Sequence, residues 1–248
     1  MKKIVVLGRS SNSSKILVNG LLQNHFEVNF IEEKRKDKLN LLKRRAIKFG
    51  YIKVLLQISF QIFQRLLKVT SEARVRQITG EYNGNLKPVY QFENVNSEEA
   101  IDIISSIEPD LIVLSGTRIL SSKFLLSVSK PIINIHAGIT PKYRGVHGGY
   151  WALVNDDLDF FGSTIHRVDE GIDTGRVIKY SYCQPTEKDN FLTYPLLQQK
   201  SATFDLIEIL KNDKLEVTTE KHLDCESGLW THPTIIQYIW FRIKKGIA

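Results

Sequence analysis

The chain has 248 residues, of which 42% are hydrophobic and 25% charged, with a formal net charge of +7. That length supports one large α/β domain or two small ones, and the composition is that of an ordinary globular protein. Two cysteines, Cys183 and Cys225, with no C-x-x-C pair, give neither a disulfide framework nor a zinc cluster.

In chain order, Ile4 to Gly8 reads as a strand. The preceding Met1-Lys-Lys mimics a short signal peptide, but the apolar run is too brief and Arg9 follows at once, which leads to the expectation of a cytoplasmic protein. A Ser/Asn-rich turn opens a helix from Ser10 to Asn24, and Phe26 to Ile31 is the next strand. Leu39 to Lys68 reads as one helix, with Leu39, Leu42, Ala46, Phe49, Lys53 and Leu56 along an approximate stripe. Val89 to Phe92 is a further strand. Ser97 to Ile107 is a helix whose N-cap Ser97 is followed by Glu98 and Glu99, favourable near a helix N-terminus. Leu111 to Leu114 is a strand, Ser121 to Ser129 a short helix, Ile132 to Ile135 a strand and Gly148 to Asn155 a helix. Strands from Gly162 to Val168 and Arg176 to Cys183 precede a long helix, Phe191 to Lys211. Strands alternating with helices imply an α/β fold with a Rossmann-like, mostly parallel sheet flanked by helices.

The charge is unevenly placed. Between Lys34 and Arg76 thirteen Lys and Arg face Asp37 and Glu72, a local balance of +11 that leaves about −4 for the rest of the chain. One basic segment, 34–76, therefore sets the pI, and no nucleic-acid partner is expected. The uncharged run from Val54 to Gln64 is too short and too polar to cross a bilayer. A basic amphipathic helix over 39–68 either packs on the core or makes a peripheral contact with an anionic membrane.

The chemistry concentrates between Pro131 and Val177. Residues two apart on a strand share a face, so Asn134 and His136 project together near a strand's C-terminal end, where open α/β sheets place ligands. An Asn amide can hydrogen-bond a carbonyl oxygen as charge grows on it. A His can shuttle a proton near neutral pH. Asp173, in a Gly-Ile-Asp-Thr-Gly turn, can orient that His or hold a relaying water. With no obvious Ser or Cys nucleophile beside them, direct attack by an amine or water is expected. On spacing alone, a buried structural His and a glycine-rich turn remain an equal alternative. No metal cluster is visible, and Asp156, Asp157 and Asp159 read as a solvated acidic turn.

Three blocks carry a resemblance. Asn134-Ile-His136-Ala-Gly-Ile-Thr-Pro141-Lys-Tyr-Arg-Gly145, then His166-Arg-Val-Asp-Glu-Gly171-Ile-Asp173-Thr-Gly175, and earlier Asp110-Leu-Ile-Val-Leu-Ser-Gly-Thr117-Arg-Ile-Leu120, resemble the 10-formyltetrahydrofolate-dependent formyltransferases. The match is clear over about 100–183. It implies one catalytic domain over 1–248 with the formyltransferase fold, a 10-formyltetrahydrofolate donor, a small amine acceptor and no metal. Asn134 would polarise the formyl oxygen. His136 would supply a proton to the intermediate or the departing nitrogen. Asp173 would tune His136 and accept the amine proton. The backbones of Thr117, Arg118, Ile119 and Leu120, and of Val168, Asp169, Glu170, Gly171 and Ile172, would edge the pterin ring. The Arg118 side chain could equally be solvated, and His166 serves a structural role as readily as a site role.

The resemblance leaves the acceptor open. The turn Gly8-Arg9-Ser10-Ser11-Asn12-Ser13-Ser14 lacks the later glycines of glycinamide ribonucleotide formyltransferases, and it reads first as an N-cap cluster. The methionyl-tRNA branch carries an extra C-terminal domain for which little chain follows Thr186. A nucleotide-linked amino sugar is the expected acceptor, glycinamide ribonucleotide the alternative. A formyltetrahydrofolate hydrolase and a non-catalytic folate- or nucleotide-binding module are the other readings. Tyr150 and Trp151 read as core aromatics in preference to a stacking platform, and His147 as a residue that could touch substrate. The aromatic, basic tail from Leu229 to Arg242 would cover the site or form a homodimer contact.

Overall fold

The computed structural model describes residues 2–34, 38–82, 84–215 and 220–248, with the side chains of 38–41 left out. Strand β1 (Lys3–Gly8) is a β-branched run buried along almost its whole length, as a central strand covered on both faces must be. Helix α1 (Asn12–Gln23) follows, and Ser11 caps it by accepting the Ser14 amide. Strand β2 (Glu27–Glu33) pairs parallel to β1. Next come α2 (Lys38–Phe49), α3 (Tyr51–Thr79), β3 (Tyr90–Phe92), α4 (Glu98–Ser106), β4 (Leu111–Ser115), α5 (Ser122–Ser127) and β5 (Ile132–His136). The remainder is β6 (Arg144–Gly145), α6 (Gly148–Val154), β7 (Gly162–Arg167), β8 (Val177–Tyr182), α7 (Tyr194–Lys211), β9 (Leu229–Trp230) and α8 (Ile235–Lys245).

Seven strands form one sheet in the order β3-β2-β1-β4-β5-β7-β8. The five from β3 to β5 are parallel, and β7 and β8 extend the sheet in antiparallel pairing. The sheet is thus mostly parallel and Rossmann-like, as the alternating pattern implies. The chain leaves β1 in one direction and returns at β4 on the other side, which places a topological switch between them.

Alternation along the strands sorts two apolar layers. Ile4, Val6, Val113, Ile133 and Ile165 face α1 and α7. Val5, Leu7, Ile112, Leu114 and Ile132 face α4 and α5. A third, aromatic cluster gathers Phe60 of α3, Tyr150 and Trp151 of α6, Phe191 and Tyr238 of α8. Tyr150 and Trp151 therefore are core residues, and the Trp151 Nε1 donates to the Thr231 carbonyl at 2.9 Å.

The single helix expected over 39–68 is instead two. Gly50 has φ +87° and ends α2, after which α3 continues to Thr79. Glycine takes that dihedral without a Cβ penalty, so one residue turns the chain between two amphipathic runs. The expected stripe crosses this break and loses its meaning there; the side chain of Leu39 lies outside the described residues, as do Arg35, Lys36 and Asp37. The tail is also structured: β9 pairs parallel to β6, and α8 begins with a Thr234–Gln237 capping box.

Candidate functional site

Asn134 and His136 alternate with the core residues Ile133 and Ile135 on β5. The antiparallel register sets Asn134 opposite His166 and His136 opposite Thr164. Directly opposed residues share a face, so four polar side chains converge on the layer side of Ile132. The loop after β7 then folds across that face and delivers Asp173.

The contacts are specific. Asp173 Oδ2 lies 3.3 Å from His136 Nδ1 and accepts the Gly145 amide at 3.0 Å. Asp173 Oδ1 accepts an Asn134 Nδ2 hydrogen at 3.3 Å and lies 3.7 Å from His166 Nε2. His136 Nε2 sits 2.7 Å from the Tyr143 carbonyl, which can only accept, so the proton of a neutral His136 resides on Nε2. By the same reasoning His166 donates Nδ1–H to the Arg167 carbonyl at 2.8 Å. Its Nε2 then accepts the second Asn134 hydrogen at 3.2 Å. His166 is thereby both structural and part of the cluster.

The electrostatics follow from burial. His136 is 7% exposed, and its pKa is lowered because desolvation outweighs the Asp173 charge and the Tyr143 carbonyl. Burial raises the Asp173 carboxyl, but the neighbouring His136 and His166 rings, which carry charge once protonated in acid, and the Gly145 amide outweigh it and bring it down to about 2. Near neutral pH the pair is a carboxylate beside a neutral imidazole whose Nδ1 lone pair is the open protonation site.

Backbone geometry holds this in place. Asp173 has φ +53°, a left-handed conformation that Asp tolerates better than most residues and that concentrates at functional sites. A Cβ on Gly175 would lie 1.8 Å from the Arg167 carbonyl, so only glycine lets the Asp173 loop close onto β7. A Cβ on Gly138 would lie 2.2 Å from the Tyr143 carbonyl, and its absence lets that carbonyl reach His136. Thr164 ties the same loop down, donating to Gly138 O at 2.8 Å and accepting from the Thr140 amide at 3.0 Å. The tail braces the other end: Arg144 N donates to Gly228 O and Val146 N to Trp230 O, flanking the Gly145 amide that binds Asp173.

The two loops expected to edge a ring are adjacent. Leu120 is buried and Val168 is packed in the same apolar cluster, while Ile119 and Ile172 are exposed at 60% and 42%. Thr117 is half-buried in the first loop, and Glu170 is exposed in the second. Several backbone and side-chain groups there already have partners. The Val168 amide donates to Ile132 O, and Asp169 accepts from the Gly171 amide and the Thr174 hydroxyl. The Arg118 side chain is paired, though one third exposed: its amide donates to Glu33 at 2.9 Å, and its guanidinium pairs with the same buried carboxylate and reaches Glu93 O. Nothing local announces that partner, which is 85 residues away in the chain.

Other expected features resolve elsewhere. Ser14 Oγ donates to Arg9 O and bonds Ser115 Oγ, so the serine turn after β1 caps α1 and ties it to β4. His147 turns inward, its Nε2 2.8 Å from His232 Nδ1. The acidic turn is paired, with Asp157 holding the Tyr143 hydroxyl and Lys142, and Asp156 holding Lys245. Among the described residues no group of three or more metal-ligating side chains occurs, and no helix is long and apolar enough to cross a membrane. The residues that sequence reasoning missed are Tyr143 and Gly145, which act through backbone atoms and so leave no side-chain signal.

A doubly wound sheet carrying an Asn–His–Asp cluster beside its last parallel strand defines an α/β enzyme-like site for polarising and proton-transfer chemistry. A family model described as formyl transferase matches residues 2–202, and the chain belongs to that family. A methionyl-tRNA formyltransferase of a Nitratiruptor species is 32% identical over 126 residues, 51% of this chain and 41% of that protein. One from Legionella pneumophila (strain Corby) is 34% identical over 128 residues, 51% of this chain and 40% of that protein. The chain thus matches about two fifths of the length of these relatives. A solved sugar N-formyltransferase from Shewanella sp. shares the fold at a TM-score of 0.57 and 18% identity, covering 93% of this chain and 76% of that one. Phosphoribosylglycinamide formyltransferase from Streptococcus pneumoniae does so at 0.53 and 22%, covering 86% and 98%.

Proposed function

We propose that this chain transfers a formyl group from 10-formyltetrahydrofolate to the primary amine of a nucleotide-linked amino sugar. The observation that carries the chemistry is the mutual contact of Asn134, His136 and Asp173 on one sheet face, with His136 Nε2 tied to a carbonyl and Nδ1 turned to the carboxylate. The donor supplies an activated formyl carbon. The two adjacent loops, with Ile119 and Ile172 exposed on them, suit a flat ring.

The residues divide the work. Asn134 gives both amide hydrogens to His166 and Asp173, at 3.2 and 3.3 Å. Both bonds are long, so exchanging one for the formyl oxygen costs little and places a donor where negative charge develops. His136 Nδ1 takes the proton that the attacking amine must lose as its nitrogen bonds to the formyl carbon. Asp173 stabilises the imidazolium so formed. The proton then passes to the folate nitrogen as its bond to the formyl carbon breaks, leaving a formamide on the acceptor. The site needs no covalent enzyme intermediate.

The acceptor reading rests on two supports. Ser11 and Ser14 after β1 are spent on capping and on Ser115, which gives that turn a structural task in place of a close phosphate cradle. The fold likeness to a sugar N-formyltransferase spans 93% of this chain. The test is folate turnover with purified protein, the donor, and either a panel of nucleotide-linked amino sugars or glycinamide ribonucleotide. Turnover that depends on an amino sugar and disappears in Asn134→Ala bears the proposal out. Turnover only with glycinamide ribonucleotide replaces the acceptor, and formate release without any amine replaces the transferase by a hydrolase.

A further inference from the structure

Helix α3 has a buried face and, opposite it, an exposed apolar one. Val54, Gln57, Phe60 and Ser71 are buried against the body of the protein. On the other side Ile52, Leu55, Ile62, Leu66 and Val69 are exposed at 57% to 77%. The spacing of this outer row is three, seven, four and three residues, a continuous stripe on a helix. From Ile52 to Val69 the stripe runs about 26 Å at 1.5 Å per residue. Isolated exposed apolar residues are ordinary, but a contiguous row is not.

The surface continues beyond α3. On α8 Tyr238 is buried while Ile236, Ile239, Trp240 and Ile243 are exposed. A groove of about 720 Å³ joins the two helices, lined by Tyr51, Ile52 and Leu56 on one side and Thr234 and Gln237 on the other. Ile47 of α2 adds a further side chain, 78% exposed.

The charge decides what covers this face. From Lys38 to Thr79 the sequence has ten Lys and Arg and one carboxylate, Glu72; α8 adds Arg242, Lys244 and Lys245 and no carboxylate. Lys43, Arg44, Lys48, Lys53, Arg65 and Lys68 are exposed beside the apolar row. A second copy of this chain would set two strongly cationic faces against each other, which electrostatics opposes. Bulky apolar side chains flanked by Lys and Arg, with a tryptophan at the margin, match the boundary of an anionic bilayer.

We propose that α2, α3 and α8 together dock this protein on the surface of an anionic lipid bilayer. The helices lie in the plane of the interface, with Leu55, Ile62, Leu66 and Trp240 entering the acyl boundary and the lysines and arginines meeting acidic headgroups. This surface is separate from the Asn134–His136–Asp173 cluster, so its test does not depend on the acceptor or on turnover.

The test is co-sedimentation of the whole chain with vesicles of phosphatidylcholine alone or with added phosphatidylglycerol, at low and high salt, together with tryptophan emission. Trp151 is buried and Trp230 half-buried, so exposed Trp240 is the reporter. Binding to the anionic vesicles, release by salt and a blue shift that is absent in Trp240→Phe are expected. The triple change Leu55→Ser, Leu66→Ser, Val69→Ser should abolish binding. Each of Arg44→Ser, Lys48→Ser and Lys53→Ser should weaken it about fivefold. No binding to anionic vesicles at low salt, or equal binding to neutral ones, overturns the proposal. A dimer in light scattering that dissociates in the triple variant, with no vesicle binding, shows that a second copy covers the face instead. Should the triple variant fail to fold, the salt series and the Trp240 shift of the unaltered protein decide by themselves.

Discussion

The face of β5 and β7 and the outer face of α2, α3 and α8 each hide or expose the wrong kind of group, in opposite senses. On the sheet, polar and titratable side chains are buried: His136 and His166 are 7% and 3% exposed, with Asn134 and Asp173 between them. On the helices, Ile52, Leu66 and Val69 are left in water. The first arrangement is costly unless every group has a partner, and here each does, through Tyr143 O, Gly145 N and Arg167 O. The second loses burial energy for no visible intramolecular return. On the two proposals made above, these departures from ordinary packing serve something outside the chain, one by chemistry and one by adhesion.

The largest expected effect lies at the sheet face. His136→Ala or Asp173→Asn should lower formyl-transfer turnover by roughly a hundredfold to ten-thousandfold, the usual worth of a positioned acid–base group. Folate affinity, measured separately by equilibrium binding, should change little. A variant that kept near-full turnover would show that proton transfer is handled elsewhere.

Gly175→Ala should act on the same site through the backbone. Its Cβ meets the Arg167 carbonyl at 1.8 Å, so the Asp173 loop must shift. We expect a loss of about 3 kcal/mol in denaturant unfolding, as for overpacked interiors, accompanied by lost turnover. Stability lost without any change in turnover would detach the loop geometry from catalysis.

Acid should next separate the polar interior from the helical surface. Burial lowers His147 and, with Arg45 nearby, holds His232 at about 4. Both therefore fold as neutral groups while the unfolded chain takes protons near pH 6.5, so stability is full above that pH and erodes as it falls towards 4. Asp173, at about 2, adds stability that is present above its unfolded value near 4 and is lost as pH drops towards 2. The histidine step should amount to at most about 3 kcal/mol per group between pH 6.5 and 4 and should shrink in His232→Gln. A flat urea-midpoint profile across that window would contradict the buried neutral pair.

The smallest effect belongs to the exposed row. Leu66→Ser and Val69→Ser should alter stability by no more than about 0.5 kcal/mol, because neither side chain leaves water on folding. A loss well above that in free solution would mean the row is already covered in the monomer.

Much of the fold is legible from local pattern. The runs Ile4-Val5-Val6, Leu111 to Leu114 and Ile132 to Ile135 are strands, and Ser11, Ser97 and Ser121 cap the helices they precede. Period and capping involve only near neighbours, so the sequence states them directly. Asn134 and His136 share a face for the same reason, the two-residue repeat of a strand. The single helix expected over 39–68 failed at one residue, since a glycine inside an amphipathic pattern is compatible with either a continuation or a corner.

What the sequence determined by itself was therefore the α/β class, the parallel strands and the common orientation of Asn134 and His136, all set by periodicities within a few residues. Only tertiary structure decided that β7 returns antiparallel so that His166 meets Asn134, that Gly145 reaches Asp173 with the tail strand behind it, and that Arg118 lies on Glu33. Those contacts join residues tens of positions apart through register and backbone amides. A register has no local signature, and a backbone amide is the same at every residue except proline.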